Sequence, residues 1–256
     1  MTSIEVADEA ALRRITINRP GKRNALDVET AAALAEAVKT AVLPRRAVLI
    51  TGAAPSFCVG GDLPSLAAVA ERGSLAATQA IYSAFHGIVR AIRRSPLPVI
   101  AAVNGAALGA GLDLALCCDL RVAGEDAVFE STWIKAGLIP GMAGARLLPQ
   151  VIGAGPAARM LLLGGRVDAQ QALALGLVDA VAQDPVAAAE EMAGTIASLS
   201  YDAVSRTKAA LRRGLDQGLD AELDVLGAQQ GQLLDGDEFR AFASRFISKS
   251  RPSEGR

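Results

Sequence analysis

Two short glycine-bearing segments carry the residue types that stabilise a developing negative charge. Ser56-Phe57-Cys58-Val59-Gly60-Gly61-Asp62-Leu63 follows an apolar run at 47–51, and Asn104-Gly105-Ala106-Ala107-Leu108-Gly109-Ala110-Gly111 follows another at 99–103. Small side chains bare the backbone, and the first N–H groups of a helix lack internal partners and lie at its positive end. Two such donors converging on one oxygen suit an enolate or a tetrahedral oxyanion. Either segment alone reads as well as a tight packing of two backbones. Two of them, each at the C-terminal end of a strand expected in a parallel sheet, fall where open α/β sheets bind ligands. Asp113 follows the second segment among apolar neighbours, so an acid/base role is expected of it. The plain alternative is a carboxylate that only stabilises the first turn of its helix.

Other chemistries find little support. The one histidine, His86, sits beside the apolar face of an expected helix and reads as a packed structural residue. No metal-ligand spacing occurs. Gly153-Ala154-Gly155-Pro156-Ala157-Ala158 matches a loose dinucleotide pattern, but Pro149 precedes it and no suitably spaced acid follows, so it reads as a helix entry. Three cysteines without a CxxC pair fit a reducing compartment, and the N-terminus shows no signal-peptide pattern, so a cytoplasmic location is expected. Lys+Arg 26 against Asp+Glu 27 gives a net charge of -1, which argues against nucleic acid as a partner. The apolar stretch 99–118 is long enough to suggest a membrane span, yet Asn104-Gly105 and Asp113 interrupt it, so no membrane partner is expected.

The elements that must position these residues follow from periodicity. At 256 residues, 51% of them hydrophobic, the chain can bury a large core. Strands are expected at 12–18, 47–51, 99–103 and 120–123, with another at 128–129. Helices are expected at 28–38 with Asp27 as N-cap, from about Pro64 with Asp62 as cap, at 75–94 and at 109–116. That alternation implies a largely parallel sheet buried on both faces. Beyond about Gly141 helical patterns dominate, at 157–163, 169–175, 186–199, 202–215, 221–233 and 238–247, and the tail 248–256 reads as disordered. The fold class is α/β, divided into a core at 1–195 and a helical oligomerisation part at 196–256.

The segments INRPGKRNAL (17–26), SFCVGGDL (56–63), PVIAAVNGAALGAGLDLALCCDLRVAGEDAVF (98–129), GLIPGMAGARLLPQVIG (137–153) and GRVDAQQALALGLVD (165–179) together resemble the crotonase superfamily of enoyl-CoA hydratases and isomerases. The resemblance implies a spiral of ββα units, a helical C-terminal trimerisation part, and a homotrimer or dimer of trimers. It implies an acyl-CoA thioester whose carbonyl oxygen lies between the N–H groups of Gly61 and Ala110, with Gly60, Asp62 and Leu63 around it. Lys22, Arg23 and Ala25 match the segment along the CoA nucleotide, and Phe242 and Arg245 match positions that reach CoA from a neighbouring subunit. No cofactor is implied beyond the CoA of the substrate.

The catalytic positions depart from the family. Hydratases of this kind hold water between two glutamates; the first matches Asp113, shorter by about 1.5 Å, and the second matches Trp133. Trp133 cannot act as a base, and it is expected to wall an acyl tunnel rather than bind through its N–H. Glu130, three residues earlier, is expected to be a solvated residue rather than a substitute acid. Tryptophan here also resembles the 4-chlorobenzoyl-CoA dehalogenase branch, but the nucleophilic aspartate that branch needs is Gly141 in this chain. Three readings remain: a hydratase or isomerase working with Asp113 alone, an acyl-CoA binder that has lost catalysis, and a different reaction such as decarboxylation or C–C hydrolysis.

Overall fold

The computed structural model describes residues 2–249. Its centre is a six-stranded sheet in the order β1 (Ile4–Glu9), β2 (Leu12–Ile17), β3 (Ala47–Gly52), β4 (Val99–Val103), β6 (Leu120–Gly124), β9 (Ala180–Ala182). Only the β1–β2 pair is antiparallel. A three-stranded sheet stands beside it, with β5 (Ala106–Leu108) parallel to β7 (Val128–Glu130) and β8 (Arg166–Asp168) antiparallel on the far side. The helices of the first half are α1 (Val28–Lys39), α2 (Leu63–Ala70), α3 (Ser74–Ala77), α4 (Ser83–Arg94) and α5 (Ala110–Cys117). The second half supplies α6 (Gly144–Ile152), α7 (Ala154–Leu163), α8 (Ala169–Ala174), α9 (Pro185–Ser198), α10 (Tyr201–Leu215), α11 (Leu219–Leu234) and α12 (Asp237–Lys249).

The repeating unit is a large-sheet strand, then a short strand or bridge, then a helix. After β2, Leu26 bridges Gly61 before α1; after β3, Cys58 bridges Ala107 before α2; after β4 comes β5 and then α5. The middle piece of each unit therefore builds a second surface of backbone, and that surface carries the glycine segments. β3 and β4 are wholly buried. Val48 and Ile50 belong to the main core, while Ala47 and Leu49 pack with Ala189 and Ala193 of α9, so the sheet is covered on both faces.

Most of the expected elements form, with instructive differences. Asp27 caps α1 by accepting a hydrogen bond from the Thr30 N–H at 2.8 Å. The helix expected over 75–94 is α3 and α4 joined by a π-helical turn at Thr78–Tyr82. Asp62 occupies the N-cap position of α2, but its side chain makes no cap bond and pairs with Arg19 instead. Gly153-Ala154-Gly155 opens α7 directly from α6, with no strand before it, so the helix-entry reading of that pattern holds. Residues 248 and 249 continue α12 rather than beginning a tail; the remainder of that expectation lies outside the described residues. No helix among the described residues is long and apolar enough to cross a membrane, and no group of three metal-ligating side chains occurs among them.

Candidate active site

Glycines bring the two donor segments together. Cys58 N–H donates to the Ala106 carbonyl and Leu108 N–H to the Cys58 carbonyl, both at 3.0 Å. Gly60 has φ +104, and a Cβ there would lie 3.0 Å from the Leu108 oxygen and 3.6 Å from the Ala110 nitrogen. A Cβ on Gly111 would fall 1.9 Å from the Cys58 oxygen, so Gly111 is required by backbone packing alone. Gly109, at φ +52, turns the chain from β5 into α5 while its N–H donates to the Glu130 carbonyl at 2.9 Å. The outcome places the start of α5 against the 58–61 segment. Among the described residues, neither the Gly61 N–H nor the Ala110 N–H has an acceptor.

Asp113 lies one helical turn from Ala110 and is 1% exposed. Its Oδ2 accepts from the Met142 N–H at 3.2 Å, and the backbone of Gly144 presses on its Oδ1, where a Cβ would come within 2.1 Å. Burial pushes this carboxyl up to about 7 from its ordinary 3.8, against smaller opposing pulls from the Met142 N–H, the Trp133 indole and the Gly144 N–H. No cation contributes. A carboxyl so placed exchanges its proton near neutrality.

Trp133 begins a 3-10 turn, Trp133–Ala136, and is 8% exposed. Its ring approaches the mouth of α5, with Cε2 4.0 Å from where a Cβ on Gly109 would stand. The indole N–H faces Asp113 closely enough to lower its pKa, yet falls outside hydrogen-bond geometry and has no partner.

Glu130 is not the solvated residue expected from its position after a strand. It is buried, and its oxygens take Lys135 at 2.5 Å and Arg166 at 2.9 Å. Although burial opposes it, that pair of cations holds the carboxyl below its usual range. His86 is packed against the core. It is buried, neutral because burial depresses its pKa, and bonded through Nε2 to the Gly141 carbonyl at 2.8 Å. Gln230 clamps the same loop, accepting from the Ile139 N–H and donating to the Ile139 carbonyl. His86 and Gln230 thus fix the 139–144 loop whose backbone holds Asp113. No periodicity or spacing marks Met142, Gly144 or Gln230; Gly141 and Gly144 in the 137–153 segment are the available signal.

The outer residues also gather. Asn24 is fully buried and donates to the Ala53 and Ser56 carbonyls at 2.7 and 2.6 Å, so the 22–25 turn lies along the Gly60 segment. Lys22 and Arg23 are exposed there, Ala25 is buried, and Lys22 Nζ stands 3.9 Å from Asp62. Asp62 is 3% exposed and bound at 3.0 Å by Arg19, an arginine that also reaches Asp27 at 2.7 Å. Leu63 is half-buried at the start of α2. Phe242, half-buried, and Arg245, exposed, lie on α12, which packs near the Trp133 turn; a Cβ on Gly137 would meet Glu238 Cβ at 3.0 Å. A basic cleft of about 390 Å³ between α4 and α10 includes none of these residues. Its Arg93 and Lys208 are neutralised by Asp216 and Asp119.

The fold and this geometry define a crotonase-type protein. The sequence pattern of the enoyl-CoA hydratase/isomerase family matches residues 7–253, and the chain belongs to that family. It is 38% identical over 235 residues to a probable enoyl-CoA hydratase of Mycobacterium tuberculosis, covering 89% of this chain and 90% of that protein. It is 32% identical over 248 residues to 1,2-epoxyphenylacetyl-CoA isomerase of Escherichia coli, covering 95% of each. Among solved structures, an enoyl-CoA hydratase/isomerase from Mycobacterium paratuberculosis superposes with a TM-score of 0.89 at 32% identity, over 96% of this chain and 98% of that one.

Proposed function

We propose that this chain is an acyl-CoA enzyme that stabilises a thioester enolate with the Gly61 and Ala110 N–H groups and moves protons with Asp113. The observation that carries the reading is a fully buried carboxyl, titrating near neutrality, one turn from an unpartnered N–H against which Gly60 is packed. Lys22 and Arg23 at the rim beside Gly60 suit the phosphates of CoA, and Phe242 and Arg245 would complete that grip in an assembled trimer. Exposed Leu162, Leu163 and Leu211 on the helical second half support such an assembly. Hydration or isomerisation of a 2-enoyl thioester is the leading reaction. The reading needs no cofactor.

The buried Trp133 favours one second reading, an acyl-CoA binder without turnover. Both are tested by following loss of the conjugated thioester absorbance of crotonyl-CoA and trans-2-decenoyl-CoA. Wild-type turnover falling about 10²- to 10⁴-fold in Asp113→Asn is the expected result. Full turnover in Asp113→Asn removes the acid/base assignment, and saturable binding without conversion by wild type selects the binder.

A further inference from the structure

We propose that the Trp133 indole N–H and the Asp113 carboxylate together hold the water that adds to the substrate, the indole taking over the holding role a second carboxylate would play. This rests on the enoyl thioester reading of the site. A buried N–H without a partner is costly, so one that persists beside a carboxylate calls for an occupant. Of the buried side-chain polar atoms left without a partner among the described residues, Trp133 Nε1 is the one that acts on Asp113. The two groups are chemically complementary. The indole only donates, the ionised carboxylate only accepts, and an oxygen bearing hydrogens satisfies both at once.

The chemistry closes with one carboxylate. Water accepts from the indole through one lone pair and donates a hydrogen to Asp113. Its second lone pair attacks C3 of the enoyl thioester as the O–H bond breaks and Asp113 takes the proton. The C2=C3 electron pair moves onto the thioester oxygen, held by the Gly61 and Ala110 N–H groups. The enolate then collapses, C2 recovers the proton from Asp113, and the carboxylate is restored. One water is added overall, and the indole gives up no proton. Trp133 is in this account a binding group for the nucleophile, which a purely apolar wall is not.

The test separates hydration from a reaction that needs Asp113 but no water. Crotonyl-CoA hydration and C2 hydrogen exchange of butyryl-CoA in deuterated water are measured for wild type and Trp133→Phe. Hydration falling about 10²-fold, with exchange and KM within about threefold, is the expected result. Because the chain has one tryptophan, its replacement by benzothienylalanine keeps the bicyclic ring, removes only the N–H, and repeats the test without a change in packing. Hydration within about threefold of wild type overturns the inference and leaves the reading of the site intact. A parallel loss of hydration and exchange in the isosteric protein also overturns it, since the N–H would then matter to more than water. Wild type that neither hydrates nor exchanges sinks the reading of the site and the inference with it.

Discussion

Asp113 and Glu130 are both buried carboxyls at the two ends of one stretch of chain, and their surroundings drive them in opposite directions. Asp113, 1% exposed, is acted on among the described residues by burial, two backbone N–H groups and an indole, and its charge together with burial pushes up the Tyr82 hydroxyl. Glu130, 4% exposed, meets an ammonium and a guanidinium. Burial raises a carboxyl pKa, and cations within contact distance lower it. The balance leaves Asp113 able to exchange a proton near neutrality and Glu130 fixed as an anion. Low exposure alone does not raise a carboxyl pKa; low exposure without a cation does.

The difference predicts opposite behaviour, and the largest effect is on stability against pH. Folded Asp113 keeps its proton up to about 7, whereas the unfolded carboxyl releases it near 3.8. The folded state therefore binds more protons between those values, and stability falls as pH rises through that window. Asp113→Asn removes this fall. Its stability relative to wild type, measured by urea unfolding, rises from pH 4 to pH 8 by up to about 4 kcal/mol; a constant difference breaks the contrast. Gly144→Ala comes next. Its Cβ would stand 2.1 Å from Asp113 Oδ1, so the carboxylate must move, and kcat for enoyl thioester turnover is expected to drop about 10- to 10²-fold with acyl-CoA affinity unchanged. The smallest effect is that of Glu130→Gln. Lys135 and Arg166 side chains are 51% and 61% exposed, so water takes over their charges and the expected loss is about 1 kcal/mol, with kcat within about threefold.

The parts of this contrast legible in the sequence are those set by neighbours along the chain. The buried strands 47–51 and 99–103, the Asp27 cap and the glycine segments all announce themselves locally. β1 escapes notice because it is an edge strand exposed along nearly its whole length, so IEVADE shows no useful alternation. β5, β8 and β9 have three residues each, too few for a period to register, and the equally short β7 shows only as the apolar pair 128–129. The site divides in the same way. Asp113 stands out by its apolar neighbours, but the partners of Glu130 include Arg166 from β8, 36 positions on, and the 139–144 loop is held by His86, 55 positions before Gly141, and Gln230, 91 positions after Ile139. Asp62 lost its expected cap because Arg19, 43 positions earlier, competes for its carboxylate.

Trp133 has a consequence outside chemistry. It is the only tryptophan among 256 residues, and it stands beside the carboxyl that burial pushes up to about 7. Red-edge excitation of the protein therefore illuminates one ring, with Tyr82 and Tyr201 dark, and the emission carries the protonation and occupancy of that single pocket. The molecule contains its own optical probe, placed where a spectroscopist would otherwise have to engineer one.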